Sequence, residues 1–116
     1  MAWLMSEARV LASIDVAESF GQRFRGLVGR DSIDGAYAIP HCRWVHSFGM
    51  RFPLDIAFVG NDNVVIKIST LHRNRLSMPV PKARMVIEAK AGAFERWGLV
   101  VGDKLEIRST NPNPVP

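Results

Sequence analysis

Two apolar runs rich in β-branched residues, LDIAFV (Leu54 to Val59) and VVIKISTL (Val64 to Leu71), are separated only by GNDN. The second run sets Val64, Ile66, Ile68 and Thr70 on one side at a period of two, the spacing of a pleated strand. Glycine and asparagine in so short a link supply the backbone angles of a hairpin turn. A parallel pairing would need a crossover of about a dozen residues or more, which this stretch lacks. An antiparallel hairpin is therefore the unit on which any fold of this chain must be built.

The rest of the sequence extends that unit. Arg9 to Ala17 repeats the period of two through Val10, Ala12, Ile14 and Val16, a half-buried strand. Phe20, Phe24, Leu27 and Val28 then fall on a helical stripe, with Ser19 placed to cap it and Gly29 just past its end. Gly21 and Gly26 weaken that helix. After the turn residues DSIDG comes a short strand, Ala36 to Ile39, closed by Pro40. Trp44 to Phe48 reads as another extended piece, interrupted by Gly49. His72 to Lys82 is polar, basic and broken by Pro79 and Pro81, a loop long enough to serve a site. Arg84 to Ala89 is a strand, AGAFERWGL a short helix closed by Gly98, and KLEIRS a last strand after the turn at Gly102 and Asp103. The expected fold is α+β: β-rich, a mostly antiparallel twisted sheet or partial barrel, with two short helices packed on it. Residues 1–107 form a single domain on this reading, and residues 108–116 a disordered tail.

With 116 residues and 47% hydrophobic composition, the chain can bury a core without staples. Its one cysteine, Cys42, excludes an internal disulfide and a multi-thiolate zinc site. The apolar patch Ala2 to Met5 is too short for a signal sequence, and no run approaches a membrane span. A cytoplasmic location is expected. The net charge is +4, and arginine supplies 11 of the 15 basic residues, a residue suited to carboxylate or phosphate. Acidic residues are interspersed among the arginines, which ranks nucleic-acid binding below recognition of a small anionic ligand or a protein partner.

Three segments in register resemble one known family. RFRGLVGR (Arg23 to Arg30) is similar to its R-x-R-G-L-M-x-R signature, with Val28 in place of the methionine. HSFGMRFPLDIAFVGNDNVV (His46 to Val65) looks like its central block. RMVIEAKAG with GLVVGD (Arg84 to Asp103) resembles its closing elements. The family is the bacterial and archaeal domain of unknown function 192, and the central block is similar to a subgroup carrying His-Thr/Ser-Phe-x-Met-Arg-Phe-Pro-x-Asp. The resemblance implies a β-rich α+β fold with a partial barrel and no established activity. Many members carry Phe-Trp-Met-Lys-Asn-Thr in that block, so a role resting on that tryptophan or asparagine does not transfer.

The block from His46 to Asp55 carries the candidate chemistry. His46 and Asp55 are candidates for an acid–base pair on a small substrate; a histidine bonded to backbone is the competing reading. Ser47 neighbours His46, but adjacent residues on a strand point to opposite faces, so direct activation is not expected. His41, Cys42, His46 and His72 lack the spacing of a metal site, Cys42 has no mark of an activated thiolate, and no phosphate-binding glycine motif is present. No cofactor is expected. Arg30, His46, Met50, Arg51 and Asp55 are the expected lining of a pocket for an anionic ligand or an acidic partner segment. Asp55 opens an apolar strand, so burial would require a donor, for which Arg30 and Arg51 are candidates. Trp44, Phe94 and Trp97 are expected in the core.

Overall fold

The structure, a computed structural model, describes residues 2–17 and 35–109. The expected first helix, Arg30 with its motif, and the end of the tail lie outside the described residues. The described chain forms seven strands and one short α-helix: β1 (Ala2–Ser6), β2 (Arg9–Val16), β3 (Ala36–Pro40), β4 (Leu54–Val59), β5 (Val65–Leu71), β6 (Met85–Lys90), α1 (Ala93–Trp97) and β7 (Leu105–Arg108). All strands join one sheet in the order β5-β4-β6-β3-β2-β1-β7.

The hairpin that anchored the sequence reading is β4–β5, in antiparallel register from Leu54 against Leu71 to Val59 against Val65. Its link contains a single 3-10 turn, and Asp62 and Asn63 take left-handed backbone angles there. A second hairpin, β1–β2, turns through Glu7 and Ala8, both at positive φ. Neither is a residue type that announces such a turn, so the sequence alone shows β1 only as an apolar patch. The sheet is mixed: β2 and β3 run parallel, Ile14 beside Ala36, and the other ladders are antiparallel. A parallel pair requires a long crossover, and the connecting residues are those between Ala17 and Gly35.

Alternation along the central strands builds two cores. Ala36 and Ala38 of β3, Ala57 and Val59 of β4, and Ile87 and Ala89 of β6 join Leu4, Val65, Leu105 and the helix residues Ala93 and Phe94 in one cluster. That cluster draws on both edge strands, so it lies inside the curl of the sheet, and its four strand alanines leave room for the curl. Tyr37, Ile39, Leu54, Ile56, Phe58 and Val86 face the other way. The curl brings the two edges together at one end only: Val64 bridges Lys104, and the Val65 amide donates to the Asp103 carbonyl at 2.9 Å. Beyond that contact no ladder joins β5 to β7, and the sheet stays open. The expected helix at AGAFERWGL is α1, closed by Gly98 at φ 69°. β7 ends at Arg108, one residue past the expected domain boundary.

Candidate functional site

After β3 the chain reverses through His41, at φ 56°. The Val45 amide donates to Ser77 Oγ at 2.9 Å, and the Ser77 amide donates back to the Val45 carbonyl at 2.9 Å. Two residues on, the Ser47 amide donates to the Arg75 carbonyl at 2.8 Å, and His46 and Leu76 face one another between these bonds. The extended piece Trp44 to Phe48 therefore pairs with the polar loop as a short two-stranded ribbon. Ser47, fully buried, is its clasp. Its hydroxyl accepts from the Arg75 amide at 2.8 Å and donates to the His72 carbonyl, while its carbonyl accepts from the Met50 and Asn74 amides. Arg73 Nε donates to the Met50 carbonyl at 3.0 Å, tying the loop to the end of the block. Ser47→Ala strands a buried amide and a carbonyl, and a loss of about 2 kcal/mol is expected. Hydrogen exchange that speeds up across residues 72–77 and not across β4 is the readout.

Within this frame the candidate residues separate. Met50, 2% exposed, packs with Val45 and Phe52 over the outer core. Asp55 alternates with Leu54 and Ile56 and so turns to the inner face. There Oδ2 accepts the Gly92 and Phe94 amides at 2.9 and 3.2 Å, and Oδ1 accepts the Thr70 hydroxyl at 3.2 Å. Gly92, the N-cap of α1, has no side chain, and Asp55 caps the helix from a neighbouring strand instead. The donors that satisfy Asp55 are thus two amides and a hydroxyl. His46 is half-buried; its Nδ1 accepts the Phe48 amide at 3.3 Å, and its ring stacks on Phe48 with centroids 5.4 Å apart. Arg51 is exposed at the end of the block. The structure brings His46, Met50 and Arg51 into one segment and turns Asp55 away from them. Among the described residues no three His, Cys, Asp or Glu side chains group closely enough to hold a metal.

The ribbon's outer face differs in character from what its sequence leads one to expect. Trp44, expected in the core, is 45% exposed; Phe48, Leu76 and Met78 are 51, 59 and 74% exposed. They alternate with buried Val45, Ser47 and Ser77, as two extended segments with one wetted side must. The same two segments carry exposed Arg43, Arg51, Arg73, Arg75, Lys82 and Arg84, and neither of them, 41–51 nor 72–84, contains an aspartate or glutamate. The alternation was visible in the sequence; that its apolar members face out was not.

A second unanticipated residue is Glu88. It sits in the middle of β6 with Tyr37 and Ile56 beside it on the neighbouring strands. By alternation with Ile87 it faces the outer core. It is 2% exposed, its Oε1 has no hydrogen-bond partner among the described residues, and burial pushes its pKa up to about 8.

Among known proteins, the chain is 32% identical over 62 residues to a UPF0127 protein of Pyrococcus abyssi and 31% identical over 62 residues to one of Pyrococcus furiosus. The match covers 53% of this chain and of each relative, so the chain spans about half the length of these relatives. Two solved structures share the fold. One is a protein of unknown function from Novosphingobium aromaticivorans (TM-score 0.75, 21% identity, 90% of this chain and 82% of that one). The other, from Sinorhizobium meliloti, carries the provisional description of a transcription regulator (TM-score 0.74, 22% identity, 90% of each chain). At such identities the likeness concerns the fold alone. The model of one family, described as an uncharacterized ACR, matches residues 3–107, and the chain belongs to that family, domain of unknown function 192.

Proposed function

We propose that the ribbon is a docking face for an acidic segment of a partner protein, one that also carries apolar side chains. The observation that carries this reading is the coincidence, in the same two segments, of exposed Trp44, Phe48, Leu76 and Met78 with exposed arginines and a lysine and no acidic residue. Aromatic residues, methionine and arginine are the types enriched where proteins dock, and desolvated aromatic and arginine anchors carry most of the energy. Methionine adapts its shape to a partner's side chains. Arg73 and Arg75 are tethered to backbone carbonyls, so part of their ordering cost is met before a partner arrives. His46 lies at the centre of the face and Arg51 at its end.

Three other readings have less support. A small anionic ligand would need to be enclosed over most of its surface, and side chains half to three-quarters exposed do not enclose one. An acid–base pair of His46 and Asp55 needs both groups within reach of one substrate, whereas Asp55 caps a helix on the inner face. Among macromolecules, single-stranded nucleic acid would favour stacking platforms, and Leu76 and Met78, the more exposed two of the ribbon's four exposed apolar side chains, offer no ring.

The test is a titration of the labelled chain, followed by amide shifts, with a peptide alternating glutamate with leucine and phenylalanine. Its lysine counterpart and a thymidine oligonucleotide serve as comparisons. Shifts confined to residues 43–50 and 73–78 are expected for the acidic peptide, weakening with salt. Trp44→Ser with Met78→Ser should reduce its affinity at least about tenfold. No shift on those residues, or tighter binding of the oligonucleotide there, overturns the proposal.

A further inference from the structure

A different part of the molecule holds a cleft of about 270 Å³. β2 and β6 both flank β3 and both run past its beginning: Ile14 pairs with Ala36, so residues 11–13 precede β3, and Tyr37 pairs with Glu88, so Lys90 lies beyond it. The cleft opens at that point, with α1 laid along one side. Its apolar walls come from Leu11 and Ala12 of β2 and Ala93 and Trp97 of α1. Gly35 completes it, and only glycine fits, because a Cβ there would lie 2.6 Å from the Ser13 carbonyl oxygen.

Two cations, Lys90 and Arg96, line the same cleft, and both are exposed. Arg96 leans back toward Gly92, its Nη1 lying 3.3 Å from where a Cβ on that glycine would stand. Among the described residues neither cation enters an ion pair or a side-chain hydrogen bond, and no acidic residue lines the cleft. A pair of surface cations beside a sheet end is ordinary. Two of them, unpaired among the described residues and set beside the apolar side chains of Leu11, Ala12, Ala93 and Trp97, are complementary to a ligand with an anionic end and an apolar body.

We infer that this cleft binds a small amphipathic carboxylate. At about 270 Å³ the cleft sits just below the ~300–1,000 Å³ of most ligand sites, which suits an aryl carboxylate or a short fatty acid. The carboxylate lies between Lys90 and Arg96, where the guanidinium can donate in a fork, and the hydrocarbon lies on Ala12, Ala93 and Trp97. The site is independent of the docking ribbon, which lies on other segments of the chain.

The experiment is a titration of the full chain with benzoate, followed by amide shifts, beside benzyl alcohol as the neutral analogue and inorganic phosphate as the bare anion. Benzoate should give saturable shifts at residues 11–13, Gly35 and Trp97, with benzyl alcohol at least tenfold weaker and phosphate not saturating. Arg96→Glu and Lys90→Gln, both at exposed positions, should preserve the spectrum of the fold and weaken benzoate at least fivefold. Benzyl alcohol binding as tightly as benzoate, phosphate competing fully, shifts that persist unchanged in Arg96→Glu, or no saturable shift at those residues would each overturn the assignment.

Discussion

Glu88→Met is expected to raise the stability of the domain at pH 8 by about 4 kcal/mol and much less at pH 5. Burial moves the carboxyl from an ordinary value of 4.5 to about 8. Between those values the folded chain holds a proton that the unfolded chain has lost. Its contribution is therefore most favourable below pH 4.5 and is lost as the pH rises toward 8. Each pKa unit corresponds to about 1.4 kcal/mol, so the whole interval amounts to about 5 kcal/mol. Against the ~5–15 kcal/mol by which domains are stable, that is a large slope from one group. Methionine fills similar volume with no proton to lose and removes the partnerless Oε1. Urea midpoints for both proteins at pH 5, 6, 7 and 8 provide the check: the difference should widen steadily, and parallel curves would dismiss the buried-acid account.

Asp55→Ala should be the most damaging single change within the His46 to Asp55 block. It strands the Gly92 and Phe94 amides, removes the side chain that caps α1, and releases Thr70 across the β4–β5 ladder. A lost cap costs about 1 kcal/mol and each stranded buried donor about 1–3. A total near 4 kcal/mol, or roughly 15 °C in the melting temperature of a domain this size, is expected. Asp55→Asn keeps an acceptor for the two amides and should lose about a third as much. Thermal unfolding followed by circular dichroism separates the cases. Alanine and asparagine variants that melt with the native protein would return Asp55 to the pool of groups available for chemistry.

The parts of the fold that were legible in the sequence are those fixed by near neighbours. LDIAFV became β4 with its ends unchanged, because a run buried on both faces is bounded by residues that cannot continue it, Pro53 and Gly60. The short helix before Gly98 was legible for the same reason. What stayed hidden depends on contacts across the chain. Asp55 finds its donors 37 and 39 residues away, and nothing at its own position names them. Trp44 looked like core because tryptophan usually is; the ribbon it sits on exists only through Ser77 and Ser47, and then only one side of it can be buried. The loop at residues 72–82 drew attention through its basic composition, yet its partner segment could not be read from it.

β7 pairs with β1, setting Leu4 beside Ile107 and so joining segments from opposite ends of the described chain. The long separation raises the contact order of the domain and slows its folding, since a large loop must close before the pairing is rewarded. During synthesis the β1–β2 hairpin can form early, but its outer edge has no neighbour until Leu105 to Arg108 leave the ribosome. An unpaired β1 is for that interval an edge open to other chains, and the sheet is complete only once its last strand has been made.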